Sequence, residues 1–301
     1  MLYQLNQPTH IPVLLTESVE GLNLSPGSVV VDATLGAGGH ALAIAKAIGP
    51  KGVIIGIDKD DQAIKIASSN LRSTKSSGRL VAVHGSYVDV GSILSDNGYS
   101  GIDAILFDLG LSSLQLASLD RGFSFNTDAP LDMRFDTSLG STAEEIVNSY
   151  SKEELADLIY QLGQERASRP VAKMIFEARQ KGRITSTKQL AEIVSRAKGG
   201  RKGRIHPATQ TFQALRMAVN NELGAIEQAI PKALDQLKPG GRLAVISYHS
   251  LEDGLVKRIL KEAHKRGLVE LITKKPIVPT REETKTNPRA RSAKLRIVQK
   301  I

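Results

Sequence analysis

Residues 29–58 read VVVDATLGAGGHALAIAKAIGPKGVIIGID. A β-branched apolar run at 29–31 reaches Asp32, and a glycine-rich turn follows at Gly36, Gly38 and Gly39. An alanine- and isoleucine-rich stretch then runs to Ile48, and a second apolar run, 53–57, closes on Asp58. The pattern predicts strand, tight turn, helix and strand. The glycines let the backbone turn sharply and lie close to a ligand, and the helix start offers free N–H groups. An acid about 20 residues beyond the glycines is placed to accept hydrogen bonds from a ribose. This is the layout of a nucleotide-type cofactor site. GAGGHA also fits G-x-G-x-x-A, so this stretch alone leaves a nicotinamide or flavin coenzyme open.

Working outward, residues 60–71 carry Ile64, Ile66, Ala67 and Leu71 at mostly helical spacing, and 72–78 read as a loop. A third strand is predicted at 80–83, leading into His84, Gly85, Ser86 and Tyr87. A side chain at that strand end faces the crevice where open parallel sheets bind ligands. Tyr87 therefore either lies against an adenine ring or simply covers the rim of the core. A fourth strand, 102–107, ends in Asp108 and the string DLGLSSLQL. Alternating strands and helices imply a parallel sheet, with Asp108 at the same edge as Gly38 and Asp58, the natural place for substrate chemistry. Upstream, 8–20 read as a lead-in and a short helix carrying Leu14, Leu15 and Val19, with His10 as a packing or phosphate contact.

From about 113 to 206 the alternation stops. LDRGFSFNTDAPLDMRFD (119–136) is an irregular segment too long for a casual connection. Helices are predicted at 143–148, 152–162, 169–181 and 187–198, the first two opening on capping-box pairs, Thr142 with Glu145 and Ser151 with Glu154. A helical domain, 113–206, is thus expected to interrupt an α/β domain formed by 1–112 and 207–301. Residues 207–237 read as mostly helical, with Phe212, Leu215, Val219, Leu223 and Ile226 on one face. A fifth strand is predicted at 242–247, a helix at 251–264, and final strands at 269–273 and 294–298 around a basic loop. Seven strands ending in a hairpin suit a methyltransferase sheet better than a symmetric dinucleotide fold.

The chain has 301 residues, 41% hydrophobic and 24% charged, with a net charge of +9 and no cysteine. Disulfides, thiolate zinc sites and cysteine nucleophiles are excluded, and the scattered histidines form no metal-ligand spacing. No apolar run approaches the roughly 18 residues of a membrane helix, and no signal-peptide pattern opens the chain. A cytoplasmic protein without membrane contact is expected. Residues 257–301 hold 14 Lys and Arg against 4 Glu, more than the whole positive excess. A second basic run contains Arg196, Lys198, Arg201, Lys202 and Arg204. Clustered positive charge is the footprint of a polyanion partner, here nucleic acid. With aromatics at 4% and no Trp, a large stacking platform is not expected.

The strings HIPVLL (10–15), VDATLGAGGH (31–40), DLGLSS (108–113), RGFSF (121–125), PLDMRFD (130–136), HPATQTFQALRMAVNNEL (206–223), KPGGRLAVISYHSLED (238–253) and NPRARSAKLR (287–296) together resemble the RsmH (MraW-type) family. The likeness covers nearly the whole chain in order. It implies a class I, Rossmann-like S-adenosylmethionine-dependent methyltransferase sheet with an inserted all-helical domain. It also implies methylation of the N4 amine of a cytosine in the decoding region of bacterial 16S ribosomal RNA, in the small ribosomal subunit. By that resemblance the cofactor is held at Gly38, Gly39, His40, Asp58, Tyr87, Asp108 and Gln115. The chain departs from the family at Leu114 (Pro), Ala129 (Gly), Phe135 (Met), and at Gln210 and Gly254 (both Arg). The last two each remove a possible phosphate contact.

A cytosine amine is a weak nucleophile facing an excellent methyl donor, so alignment is the protein's main task. Asp108, or a carbonyl of the 108–111 turn, is placed to polarise the amine. The cytosine must be unpaired or extruded, its backbone held by Arg201, Lys202 and Arg204 and by Lys274, Arg289 and Arg291. His249 and Ser250 either meet the base or cap the following helix. The rival classes are a nicotinamide-dependent oxidoreductase, separable by calorimetry with S-adenosylmethionine against NAD, and an RNA-binding assembly factor that transfers no methyl group. The residues set no oligomeric state, and a dimer is open.

Overall fold

The computed structural model describes residues 11–72, 78–112, 120–138, 140–200, 203 and 205–301. The chain forms two compact units, Met1–Ser113 with Leu223–Ile301, and Leu114–Glu222.

The first unit is built on one seven-stranded sheet in the order β3-β2-β1-β4-β5-β7-β6. Its strands are β1 Val29–Asp32, β2 Val53–Asp58, β3 Arg79–His84, β4 Ile102–Asp108, β5 Leu237–Ser247, β6 Val269–Leu271 and β7 Lys294–Lys300. The first five run parallel, and β7 enters antiparallel between β5 and β6. Both faces are covered, so the central strands are apolar without alternation. Val31, Ile55, Ile57, Ile105 and Phe107 point into one core, and Val30, Ile54, Ala104 and Leu106 into the other. Helices α1 Leu15–Gly21, α2 Gly39–Ile48, α3 Asp61–Arg72 and α4 Val90–Asp96 follow in chain order. The strand order reverses beside β1, and ligands of open α/β sheets sit at such a switch point, outside the strands' carboxyl ends. There Asp32 lies level with Leu106 of β4 and Gly56 of β2, close to the ends that carry Asp108 and Asp58.

The predicted elements of this half are present within a residue or two, with two differences. The fifth strand starts at Leu237 because Leu237 pairs with Ile102, and a register shift absorbs the Pro-Gly-Gly turn before Arg242 meets Ala104. The basic loop before β7 folds partly into a short helix, Arg281–Thr286, capped by Thr280, and a 3-10 turn, Pro288–Ser292.

The second unit contains α5 Ala143–Ser149, α6 Lys152–Gly163, α7 Ser168–Arg179, α8 Thr187–Ala197 and α9 Thr209–Val219. Both expected capping boxes form. Among its described residues there is no strand, only an isolated bridge between Pro130 and Ser186. The unit's limit differs from the expected 206. Helix α9 packs on α6, burying Phe212 and Leu215, and the apolar face read as one stretch is divided at Asn220 and Asn221, the latter at φ 47°. Helix α10, Glu222–Gln236, then carries Ile226, Ala229, Ile230 and Ala233 into the sheet's core. Asn220 pins the irregular segment, accepting from the Phe135 N–H at 2.7 Å and donating to the Met133 carbonyl at 2.8 Å. Gln210 donates to the carbonyls of Gly163 and Gln164 at the end of α6, so its amide closes a helix end. Lys198, read as part of a basic run, pairs with the buried Glu165 and donates to the Pro207 carbonyl.

Candidate active site

The turn after β1 is held by the acid that ends β2. Asp58 accepts from the Gly36 N–H at 2.7 Å through one oxygen and from the Asp60 N–H at 2.9 Å through the other. Burial raises the Asp58 pKa, and these N–H groups act against that rise. Each carboxylate oxygen keeps a further lone pair for a ligand. Gly38 sits at φ 84°, and a Cβ there would stand 3.0 Å from Ala67 and 3.1 Å from Leu71. Glycine is thus required both for the turn and for the approach of α2 to α3. The Gly38 N–H bonds to the Leu35 carbonyl, so the N–H groups offered to a ligand are those of the first turn of α2, from Gly39 onward. Tyr87 opens a 3-10 turn after β3, its ring edge-on to Phe107 at 5.6 Å with the Lys59 ammonium over its face.

His40 is buried. Its Nε2 lies 3.0 Å from the Val13 carbonyl, which can only accept, so Nε2 carries a hydrogen. Its Nδ1 lies 3.7 Å from one Asp108 oxygen. The other Asp108 oxygen accepts from the Tyr248 hydroxyl at 2.7 Å, and the Asp108 N–H donates to the Thr34 hydroxyl. Tyr248 reaches Asp108 because residue 110 is glycine: a Cβ there would stand 2.5 Å from the tyrosine ring. Burial, then the charge and hydrogen bond of Asp108, hold the Tyr248 phenol well above its ordinary range, so it stays a neutral donor.

Asp32, the last residue of β1, stands at the same rim of the sheet. It is buried, with one oxygen accepting from the Thr34 N–H at 3.2 Å. Its other oxygen has no partner among the described residues. Burial is the largest cause of a pKa pushed up to about 6, with Asp108 and Asp58 adding to the rise and His40 and the Thr34 N–H opposing it. A raised folded-state pKa stabilises the fold below the unfolded value, and that stabilisation is lost as pH rises through the folded value. Asp32→Asn removes the titration. The unfolding free energy of wild type relative to Asp32→Asn is expected to fall by about 3 kcal/mol between roughly pH 4 and pH 7. Parallel denaturation curves across that window would exclude it.

The basic residues divide. Arg289 is half buried, its guanidinium 3.5 Å from the Ser112 carbonyl; burial lowers its pKa, while Tyr248 and Asp108 work against that fall. It lies at the Asp108 end of the crevice. Lys274 and Arg291 are exposed. Arg291 and Lys294 line a cleft of about 370 Å³ with Tyr248, His249 and Ser250. His249 is the N-cap of helix α11, Ser250–Lys265, and forms a capping box with Glu252, which bears out the capping alternative for its backbone position. Gln115, Arg201, Lys202 and Arg204 lie outside the described residues. Sequence reasoning missed Tyr248, Asp32 and Thr34. Their signal was position alone: all three stand at or just past a strand's carboxyl end.

A seven-stranded sheet with β7 antiparallel beside β5, a glycine elbow and three acids at its rim suits a cationic nucleoside donor. The fold and site define a methyltransferase of the S-adenosylmethionine-dependent class. The MraW methylase family matches residues 7–301, and the chain belongs to that family. Its methyl donor is S-adenosylmethionine. Among curated relatives, a protein of Acidobacterium capsulatum is 45% identical over 97% of this chain and 98% of its own length. One from a Cyanothece species is 47% identical over 97% of this chain and 95% of its own. Both are named ribosomal RNA small subunit methyltransferase H. The crystal structure of an rRNA methylase from Streptococcus thermophilus aligns at 14% identity over 97% of this chain and 99% of that one, with a TM-score of 0.44.

Proposed function

We propose that this chain methylates the exocyclic N4 amine of a cytosine in the decoding region of 16S ribosomal RNA, in the cytoplasm, on the small ribosomal subunit or its precursor. The observation that carries the reading is the name borne by relatives 45–47% identical across 97% of the chain. Among the described residues no helix is long and apolar enough to cross a membrane.

The residues fit the donor. The elbow at Gly38 and Gly39 and the first turn of α2 at His40 would receive its methionine portion, Asp58 the ribose hydroxyls and Tyr87 the adenine. The unpartnered oxygen of Asp32 and the carboxylate of Asp108 suit its positive charge. When bound, S-adenosylmethionine supplies an electrophilic methyl group on a sulfonium. Asp108, held by Tyr248 and Thr34, accepts from an N–H of the cytosine amine, which frees the nitrogen lone pair from the ring and aims it. The exposed basic residues Arg291 and Lys274 hold the RNA backbone, and Arg289 offsets the acids where the base arrives. Mass mapping of methylated cytosines in small-subunit RNA after incubation with protein and donor tests the whole reading. A product methylated elsewhere, or unmethylated, would refute it.

Tyr248 acts through Asp108. Tyr248→Phe keeps the ring beside Gly110 and removes one hydrogen bond to a carboxylate, of the kind that contributes about 1.5–3 kcal/mol. Single-turnover methyl transfer is expected to slow by about tenfold, with the Kd for S-adenosylmethionine nearly constant. An unchanged rate would remove Tyr248 from the mechanism.

A further inference from the structure

Helix α11 follows β5 and has two unlike faces. Leu255, Val256, Leu260 and Ala263 are buried in the core against the sheet. The outer face shows Lys257, Arg258, Lys261 and Lys265, all exposed. Lys257, Lys261 and Lys265 recur every fourth residue, so they form one line along the helix with steps of about 6 Å. None of the four cations makes an ion pair among the described residues, and Glu262 is the one exposed acid of the helix. Like charges four residues apart destabilise a helix, so the line works against the fold that carries it. Its return has to come from outside the chain. Gly254 interrupts the line. It stands one turn before Lys257 and Arg258 on the same exposed face, and a Cβ there would meet nothing within 4 Å.

We infer that the outer face of α11 docks on the phosphate backbone of a double-helical RNA segment that flanks the unpaired target. The partner follows from what the face lacks and what its other side does. The helix contains no Phe, Tyr or Trp, and the ring of His264 is tied to the Val269 carbonyl at 2.9 Å. Unpaired bases are taken on such rings, so phosphates are what this face can recognise. Paired RNA offers them in closely spaced rows and is bound through its shape and backbone. An anionic bilayer is the other extended polyanion, but an interfacial helix binds it by inserting an apolar face. That face of α11 is already committed to the sheet. The helix begins two residues past Tyr248, whose hydroxyl lies 2.7 Å from Asp108, so a duplex held here starts beside the rim where the target base arrives. The inference rests on the RNA-methylating reading above and adds a surface that involves no residue of the transfer site.

The test uses the full chain and a short, fully paired RNA duplex labelled with fluorescein, followed by anisotropy across a salt series. Each phosphate contact on a double strand contributes about 0.9 to the slope of log K against log salt. Lys257→Ala/Lys261→Ala/Lys265→Ala is therefore expected to reduce the slope by about 2.7, and alanine suits these exposed helical positions. Gly254→Lys fills the gap in the line and should steepen the slope by about 0.9. Lys46→Ala/Lys51→Ala/Lys65→Ala removes the same charge from exposed positions outside α11 and should leave the wild-type slope. A wild-type chain that does not bind the duplex overturns the inference. So does an unchanged slope in the α11 triple variant, whatever Gly254→Lys does, and so do equal losses in the two triple variants, which would report net charge alone. A loss confined to unpaired oligouridine or to phosphatidylserine vesicles also overturns it. The same proteins are assayed for methyl transfer to small-subunit RNA. Transfer by wild type with a wild-type slope in the α11 variant overturns the docking face alone. The expected slope changes with no transfer by wild type overturn the proposed function alone.

Discussion

Asp108→Asn is expected to lower the rate of methyl transfer by about two to three orders of magnitude while weakening S-adenosylmethionine binding far less, by about a few fold for the loss of one carboxylate charge near the sulfonium. The substitution is structurally quiet for a reason that the geometry supplies. The amide oxygen can keep the bond from the Tyr248 hydroxyl, now made at 2.7 Å. The amide N–H₂ then faces His40 Nδ1, which lies 3.7 Å from the present carboxylate and is the ring nitrogen not used toward Val13. The Thr34 bond is made by the main chain and is untouched. What changes is the group offered to the cytosine amine, which becomes a donor where an acceptor is needed. Single-turnover transfer measured beside calorimetric binding checks this. Normal binding with a full rate would exclude Asp108 as the polarising group.

Asparagine at position 58 has the opposite character. Both oxygens of Asp58 accept from main-chain N–H groups, Gly36 on one side and Asp60 on the other. An amide there must aim its N–H₂ at one of those donors, so the elbow loses a support and the ribose loses an acceptor together. Hydrogen bonds to charged groups contribute about 1.5–3 kcal/mol each, and the loss of two corresponds to a Kd for S-adenosylmethionine raised by about a hundredfold or more. Asp58→Ala should be as weak. Calorimetry reads the effect directly, and an affinity within a few fold of wild type would place the donor elsewhere. The raised pKa of Asp58 adds a sign: donor binding should weaken toward acid pH, as protonation removes an acceptor.

These two acids also separate what could be read from the chain from what could not. The unit 29–58 was legible because its signals are local. A β-branched run, glycines at a turn, a helical repeat and a closing acid each act over a few residues. The capping boxes at Thr142 and Ser151 form for the same reason, donor and acceptor being three residues apart. The family resemblance added the identity of the donor, which no local pattern distinguished from a dinucleotide.

What the chain by itself determined, then, is the run of strands and helices, the acids at the strand tips and the interruption by helices. Folding decided which of those groups meet. Tyr248 finds Asp108 across 140 positions, Asn220 pins Phe135 across 85, and Phe125 stacks on His206 from a different part of its unit. It also decided burial: the Asp32 pKa is pushed up to about 6 because the core closes over it, and Lys198 answers a buried glutamate rather than a phosphate. Periodicity and capping are short-range and survive in one dimension. Desolvation and side-chain partnership depend on what packs above a residue, and that exists only once the sheet and helices have closed.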